Sequence, residues 1–297
     1  TFPLLSSVIP KNAKYKMRQD AGEAAIRGMN TAVLWSPFFV SFAVGQLYLP
    51  SQSAWLGIAF GLLVALIFNL ISVRFLIGRF TLIYLLEAIS CVKPIFPRLL
   101  ILSLSVLAVG QIFDKTALNA IVIVIPILVV VQMFRRPETT KAIISNLNNL
   151  ILKSGDEMLL ISVSMFLGSI LSGSVEIQNF ISNNVGNNFP FWAMIILLPL
   201  IVWIFGLIGV HPIITSAPIL SLFGPLLSVW EAAFLMQAHL IGWCAGTAIS
   251  FTSLSVLTTA DNFRLSISKL VFGPNLIATG FLTFIGALLL IILNYLL

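Results

Sequence analysis

A dense run of hydroxyl side chains lies inside an apolar part of this 297-residue sequence. From Gly246 to Ser255 the sequence reads GTAISFTSLS, and Thr258 and Thr259 follow shortly after. Each hydroxyl in apolar surroundings needs a hydrogen-bond partner, because an unmet polar group there is strongly unfavourable. The density of the run favours a stretch that lines a cavity, although Ser, Thr and Gly also serve close packing between helices.

A second polar position lies in another apolar stretch, where Gly206 and Gly209 precede His211 and Pro212. Proline removes a backbone donor and glycine permits an unwound turn, so this pattern predicts a broken helix. The carbonyls freed by such a break can coordinate Na⁺, and the N-terminus of the next half-helix can face an anion. Thr215 adds a hydroxyl nearby. The alternative is a simple kink, with His211 bonded to a neighbouring helix.

The region around His211 resembles a segment near the start of the sequence, at an offset of 181 residues. GMNTAVLWSPFFVSFA begins at Gly28, and GVHPIITSAPILSLFG begins at Gly209. The identical positions are Gly28/Gly209, Pro37/Pro218 and Phe42/Phe223. This alignment places Asn30 opposite His211. Duplicated halves with helix breaks in corresponding positions point to a transporter binding site; chance similarity between apolar segments is the alternative.

These patterns together predict one cavity lined by amide, hydroxyl and imidazole groups. The predicted lining residues are Asn30, Thr31, His211, Thr215, Thr247, Ser250, Thr252 and Ser253. A solute that leaves water must regain its hydrogen bonds inside the protein, and few charged groups are available there. The cavity therefore suits a small anion or polar neutral solute, together with a hard cation such as Na⁺. His211 adds a donor that titrates near neutral pH.

Motifs for catalysis or metal binding are absent from the sequence. It contains no paired-carboxylate motif, HExxH or Ser-His-Asp constellation, and no His/Cys cluster with metal-ligand spacing. We therefore expect that the protein is not an enzyme and has no catalytic residue, no metal site and no cofactor. A coupling Na⁺ or H⁺ is the one ion that we expect it to use.

The elements that must position the cavity residues are membrane helices. The chain has 16 basic and 10 acidic residues, so that 9% is charged, against about a quarter in soluble domains. Its mean hydropathy is +1.07. So few charges cannot cover a soluble surface of this size, and the composition predicts an integral multi-pass protein. We expect it in the bacterial cytoplasmic (inner) membrane, with the lipid bilayer as a partner and no nucleic acid.

The apolar segments define the predicted organisation of the chain. They lie at 29–49, 55–78, 97–113, 117–134, 158–172, 191–208, 211–228, 232–257 and 270–296. The predicted divisions are a basic connector at 1–27, a first transmembrane repeat at 28–134, an amphipathic linker at 135–157 and a second transmembrane repeat at 158–297. Because Lys and Arg concentrate in cytoplasmic loops, we expect 10–27, 135–157 and 258–269 to be cytoplasmic. The connector reads as a solvated segment that is helical from about Ala13.

The predicted fold class is all-α: a polytopic transmembrane helical bundle with two related halves and broken or re-entrant helices. A simple count of spans places Gly28 and Gly209 on the same side of the membrane. If 158–172 does not span, the second half is inverted relative to the first. We expect inverted repeats, the arrangement found in many transporters.

At these residues the sequence resembles the ion transporter superfamily, which includes divalent-anion:sodium symporters, citrate carriers, arsenite permeases and the permease subunits of tripartite transporters. NTA at 30–32 followed by Pro37 looks like the Ser-Asn-Thr loop of the anion symporters, with Met29 in place of the first Ser. GTAISFTSLSVLTTADNF at 246–263, with the helix at 270–296, is similar to the end of arsenite permeases. The superfamily has more helical segments than we count, and helices before Thr1 would account for the difference.

The sequence thus predicts a secondary active transporter that moves a small organic or inorganic anion, coupled to Na⁺ or H⁺. The alternative is a membrane-embedded enzyme or an accessory subunit of a membrane complex without its own transport activity. An enzyme would need acids, bases or metal ligands that converge at one depth, and the sequence does not indicate them. A small-molecule solute is the expected partner, and a homodimer is an open alternative to a monomer.

Overall fold

The computed structural model describes residues 13–77, 96–113, 117–135, 155, 158–159, 161–183 and 189–296. These residues form helices and no strand, which confirms the predicted all-α class. The helices are α1 (Tyr15–Thr31), α2 (Val40–Tyr48), α3 (Ser51–Ile77), α4 (Phe96–Ile112), α5 (Ala117–Arg135), α6 (161–173), α7 (Val175–Ile181), α8 (Phe191–Leu207), α9 (Pro212–Phe223), α10 (Val229–Ile249), α11 (Leu254–Phe263), α12 (Ile267–Val271) and α13 (Pro274–Leu296). Most of the predicted linker at 135–157 lies outside the described residues.

The chain divides into two compact units. One comprises residues 1–72 and 160–297, and the other comprises residues 73–159. The smaller unit contains α4 and α5, which pack through Val106, Ala120 and Val124. All of the predicted cavity residues belong to the larger unit.

Two stretches of the described chain are long and apolar enough to cross a membrane. They are Val229–Phe263, which contains α10 and α11, and Ile267–Leu296, which contains α12 and α13. Further apolar helices are shorter, among them α6, which has the length of about two thirds of a bilayer core. The larger number of spans therefore stays a prediction.

Helix α10 forms the centre of the larger unit, because almost every side chain along it is buried. It begins with a capping box: the Ser228 hydroxyl accepts from the Glu231 backbone N–H, and the Glu231 carboxylate accepts from the Ser228 N–H at 2.9 Å. On one side α8 approaches it very closely. A Cβ built on Gly206 would lie 2.8 Å from the Gly246 Cα. Small residues at such a crossing let two helices pack backbone to backbone.

The first aligned segment differs from its prediction. The repeat predicts a non-helical break around Asn30, opposite the break at His211, and this prediction is wrong: Asn30 lies in the last turn of α1. The interruption comes later, between the 3₁₀ turn Ala32–Leu34 and the start of α2 at Val40. Pro37 lies in this interruption. The reason is local: proline disfavours helical geometry at the preceding Ser36, whereas no proline lies between Gly28 and Ser36.

The second aligned segment is interrupted where the sequence predicts. Gly209 adopts a φ of +85°, a left-handed conformation that L side chains rarely reach. Pro212 then occupies the first turn of α9, where its missing N–H is not needed. Pro218, by contrast, lies inside α9. The two halves thus break at different aligned positions, and a two-fold relation between them stays a prediction.

Candidate functional site

Asn30 at the end of α1 reaches across to the second half of the chain. Its Nδ2 donates to the Ile26 carbonyl at 2.9 Å, a local bond within α1. The same Nδ2 donates to Ser255 Oγ at 3.2 Å, and its Oδ1 accepts from Thr247 Oγ1 at 2.8 Å. Asn30 is 5% exposed, so these bonds lie in the interior. The bonds to Ser255 and Thr247 join residues that are more than 200 positions apart in the sequence.

Thr247 has more acceptors than its single hydrogen can satisfy. Besides Asn30 Oδ1, its hydroxyl lies 2.7 Å from the Trp243 carbonyl. Because a threonine hydroxyl carries one donor, it can bond only one of them fully. When the Thr247 hydroxyl bonds to the Trp243 carbonyl within α10, Asn30 Oδ1 can accept a hydrogen bond from another donor.

The hydroxyl run occupies the interruption between α10 and α11. Ser253 caps α11, since its Oγ accepts from the Ser255 N–H, and the Ser253 and Ser255 hydroxyls are 2.7 Å apart. Ser255 also donates to the Thr247 carbonyl at 3.3 Å. Asn30, Thr247, Ser253 and Ser255 therefore form one connected hydrogen-bond network.

A second contact joins two interruptions to each other. Thr252 Oγ1 donates to the Gly209 carbonyl at 3.0 Å, and the Ser250 hydroxyl lies 3.0 Å from the same Thr252 oxygen. The 208–211 break and the 250–253 break are thus in direct contact. Thr252 is exposed, whereas Ser250 is buried. A molecule outside the protein can therefore reach one end of this pair.

His211 caps α9 and contacts Trp243 of α10. Its Nδ1 accepts from the Ile213 N–H at 3.3 Å, which leaves Nε2 as the donor of the neutral ring. The His211 ring meets Trp243 edge-on, with ring centroids 5.5 Å apart. Trp243 also meets His239 edge-on, with ring centroids 5.5 Å apart. His239 Nε2 lies 2.9 Å from the Ser41 carbonyl, so His239 ties the start of α2 to α10.

Not all predicted residues join this arrangement to the same extent. Asn30, Thr247 and Ser253 share one network, and Ser250 and Thr252 share the second. His211 contacts the Trp243 ring of α10. Thr31 donates to the Gly28 carbonyl and accepts from Asn69 of α3 at 3.3 Å. Thr215 donates to the Pro212 carbonyl at 3.0 Å, a bond within its own helix. That they line a single cavity remains a prediction.

The sequence does not predict the burial of two charged residues of α1. Glu23 and Arg27 are 0% and 6% exposed, although they belong to a segment that reads as a solvated connector. With Asn30 they occupy positions i, i+4 and i+7, which lie on one face of a helix. This spacing on one helix face is the sequence feature that could have indicated their burial. Burial raises the pKa of Glu23 and lowers that of Arg27, and their mutual attraction opposes both shifts.

The groups of the arrangement are hydrogen-bond donors and acceptors. Within the described ranges, no group of three or more His, Cys, Asp or Glu side chains is placed to hold a metal ion. The network instead presents an amide, several hydroxyls and the carbonyls of broken helices. Such groups can replace the water around a small solute or a hard cation.

Comparison with known proteins gives no match for the chain. No protein-family model matches it, and no curated protein or solved structure is significantly similar to it. The argument for function therefore depends on this site and on the surface around it.

Proposed function

We propose that the protein is a multi-pass membrane protein whose large unit faces lipid. The supporting observation is a surface that is apolar where a soluble protein is polar. Leu66 of α3 is 60% exposed, Ile277 of α13 is 78% exposed, and Phe284 is 55% exposed. The interior, by contrast, holds Asn30 and the fully buried Gln237. Exposed apolar surface of this extent marks a membrane or protein contact, and its spread over several helices favours lipid.

The protein acts, in this proposal, as a secondary active transporter of a small organic or inorganic anion, coupled to Na⁺ or H⁺. One observation carries the proposal: the end of α1, from the first half of the chain, meets the interruption between α10 and α11, from the second half, in a buried hydrogen-bond network. Asn30, in the last turn of α1, bonds to Thr247 and Ser255, which lie on either side of the 250–253 break. Thr252 in that break bonds to Gly209 in the 208–211 break. Non-helical backbone at membrane depth is tolerated where it is buried or lines a cavity, and transporters bind substrates at such places.

The resemblance to the ion transporter superfamily agrees with this proposal. Among the residues that carry the resemblance, Asn30 of the first stretch bonds to Thr247 and Ser255 of the second. The proposed setting is the bacterial inner membrane, with inverted halves and a homodimer as further elements. The interruption between α1 and α2 would be the counterpart of the loop that opens a broken helix in that superfamily.

Uptake into proteoliposomes tests this function. The purified chain would be screened with dicarboxylates, citrate and other small anions, with and without a Na⁺ gradient. His211→Ala removes the cap of α9, and Thr252→Ala removes the bond to Gly209, so each is expected to reduce uptake at least about tenfold, the effect of about 1.4 kcal/mol. Both variants should remain folded and inserted.

Ser268→Ala is the matched control for that experiment. Ser268 is exposed, and its hydroxyl pairs with Ser266 at 2.8 Å, much as Ser250 pairs with Thr252. Its replacement should leave uptake unchanged. If His211→Ala and Thr252→Ala transport like the parent, these residues serve packing alone and the proposed site is wrong.

Labelling of single cysteines tests the proposed orientation. The Lys16 side chain is 73% exposed and Ser268 is exposed, and both belong to segments that we expect in the cytoplasm. Cysteine at either position should react with a membrane-impermeant maleimide only after the cells are opened. Strong labelling of both positions in sealed cells would contradict the orientation.

A further inference from the structure

Helix α1 buries an ion pair one turn before Asn30. The Glu23 and Arg27 side chains are 0% and 7% exposed, and Glu23 Oε2 lies 3.7 Å from Arg27 Nη2. The same helix carries a second pair with the same i, i+4 spacing. That pair, Lys16 and Asp20, lies 3.1 Å apart on the surface, with side chains 73% and 44% exposed. Surface pairs of this kind are common, whereas charged groups are rarely buried without a function.

The buried pair is incompletely bonded. Gln19 Nε2 donates to Glu23 Oε1 at 2.8 Å. Glu23 Oε2 and the Nε and Nη2 atoms of Arg27 have no hydrogen-bond partner among the described residues. The 3.7 Å between Oε2 and Nη2 exceeds hydrogen-bonding distance. Arg27 therefore presents two donors whose hydrogen bonds the surrounding protein does not supply.

The pair belongs geometrically to the site already described. Positions 23, 27 and 30 fall within a narrow arc of the helix, and residues 27 and 30 are separated by about 4.5 Å along its axis. Asn30 bonds directly to Thr247 and Ser255. The guanidinium thus lies on the face of α1 that reaches the network, and it is the cation nearest to Asn30 along the helix.

We propose that Glu23 and Arg27 form a site where protons and anions exchange, in which a small oxyanion, a carboxylate or a phosphate, competes with the Glu23 carboxylate for the Arg27 guanidinium. This inference rests on the proposed transport function and specifies H⁺ as its coupling ion. A guanidinium presents two parallel donors that match the oxygens of such an anion. With Glu23 ionised, the pair is neutral and has little attraction for an anion.

The exchange balances in charge. Glu23 takes one proton from the aqueous phase, which removes its negative charge and leaves Arg27 positive. One anionic charge then enters and binds the two donors of Arg27. When the anion leaves Arg27, the proton returns to water and the ion pair forms again. One proton thus accompanies each anionic charge.

The surroundings of Glu23 favour protonation. Burial raises the pKa of its carboxyl, Gln19 and Arg27 lower it, and Asp20 and Lys16 on the same helix act weakly in opposite directions. The charged and titratable groups of the helices packed on α1 are Asp261 of α11 with Arg264 directly after it, Lys269 of α12, Glu231, His239 and Cys244 of α10, and Tyr295 of α13. Lys269 is exposed, with its ammonium 4.8 Å from the centre of the Tyr15 ring. No opposite charge other than Arg27 is therefore paired with Glu23 among the described residues.

The decisive experiment measures anion binding and uptake on the full chain in parallel. Calorimetry in detergent with succinate, and separately with inorganic phosphate, should show tighter binding at about pH 5.5 than at about pH 7.5, by up to about tenfold per pH unit. Glu23→Gln imitates the protonated carboxyl, so its affinity should match the acidic value of the parent, and the remaining pH dependence should be that of the probe's own protonation. Arg27→Gln should abolish binding at both pH values.

Uptake in proteoliposomes supplies a readout that a structural role would not change. Glu23→Gln should retain exchange of labelled for unlabelled anion, but an inward proton gradient should no longer drive accumulation. The double variant Lys16→Gln/Asp20→Asn removes the exposed pair of the same helix and should behave like the parent. Its normal behaviour would show that loss of an ion pair on α1 is not itself disabling.

The outcomes separate the two claims. If the parent accumulates an anion and Glu23→Gln remains driven by the proton gradient, this inference is wrong while the transport function stands. If the parent neither binds nor moves either anion, the inference is also overturned. If it moves no solute of any kind, the transport function fails with it. Binding of only one probe by the parent and Glu23→Gln identifies the oxyanion.

Discussion

Replacing Gly61 with alanine is expected to be among the most damaging single changes in the chain. A Cβ at this position would clash with the Leu34 carbonyl oxygen and lie 3.0 Å from Gln237 Nε2. Helix α3 approaches the interruption after α1 directly at Gly61, so the added methyl group must displace backbone. Overpacking of this kind costs about 1–3 kcal/mol, occasionally more. We expect a large fall in the melting temperature and in the yield of monodisperse protein, measured by fluorescence-detected size-exclusion chromatography.

Gly28→Ala provides the control for this prediction. Gly28 lies in α1, and a Cβ there would meet nothing within 4 Å. Alanine favours a helix over glycine by about 1 kcal/mol, so the melting temperature should stay constant or rise. Equal behaviour of the two variants would mean that α3 does not approach the Leu34 carbonyl closely.

Replacing Asn30 with alanine is expected to abolish uptake. The change removes the bonds to Thr247 and Ser255, which join the end of α1 to both sides of the 250–253 break. Each bond contributes about 0.6–1 kcal/mol to stability, so most of the protein should remain folded. The larger effect is functional, because the amide is the central member of the network. Uptake and the melting temperature, measured on the same preparation, distinguish the two effects.

Asn262→Ala is a matched control for the Asn30 variant. Asn262 Nδ2 donates to the Thr258 carbonyl at 2.8 Å, four residues earlier, as Asn30 Nδ2 donates to the Ile26 carbonyl. Asn262 therefore shares the local bond of Asn30, whereas the two bonds between helices belong to Asn30. We expect this variant to transport normally. Comparable loss in both variants would assign the effect to the local bond rather than to the network.

Local backbone chemistry explains which features were predictable. The break at 208–211 follows from a glycine at positive φ and a proline in the first turn of α9. The 250–253 break coincides with the run of hydroxyls, and one of them, Ser253, caps α11. Features of this kind depend on a few neighbouring residues, because φ/ψ preferences and caps are local.

The error at Asn30 has the same physical origin. The weak repeat suggested equivalent breaks, but Gly28 and Gly209 face different local chemistry. Gly28 continues a helix of favourable residues, while Gly209 turns left-handed three residues before a proline. Alignment of two apolar segments therefore does not transfer a backbone conformation from one to the other.

The sequence by itself determined the helical class, the apolar character of the chain, the break at His211 and the hydroxyl run between α10 and α11. The tertiary structure alone decided that Asn30 meets Thr247 and Ser255, and that Glu23 and Arg27 are buried. Composition and turn chemistry act over a few residues, so they can be read along the chain. Burial depends on which distant segment covers a side chain. A charged helix face reads the same in sequence whether water or another helix lies against it.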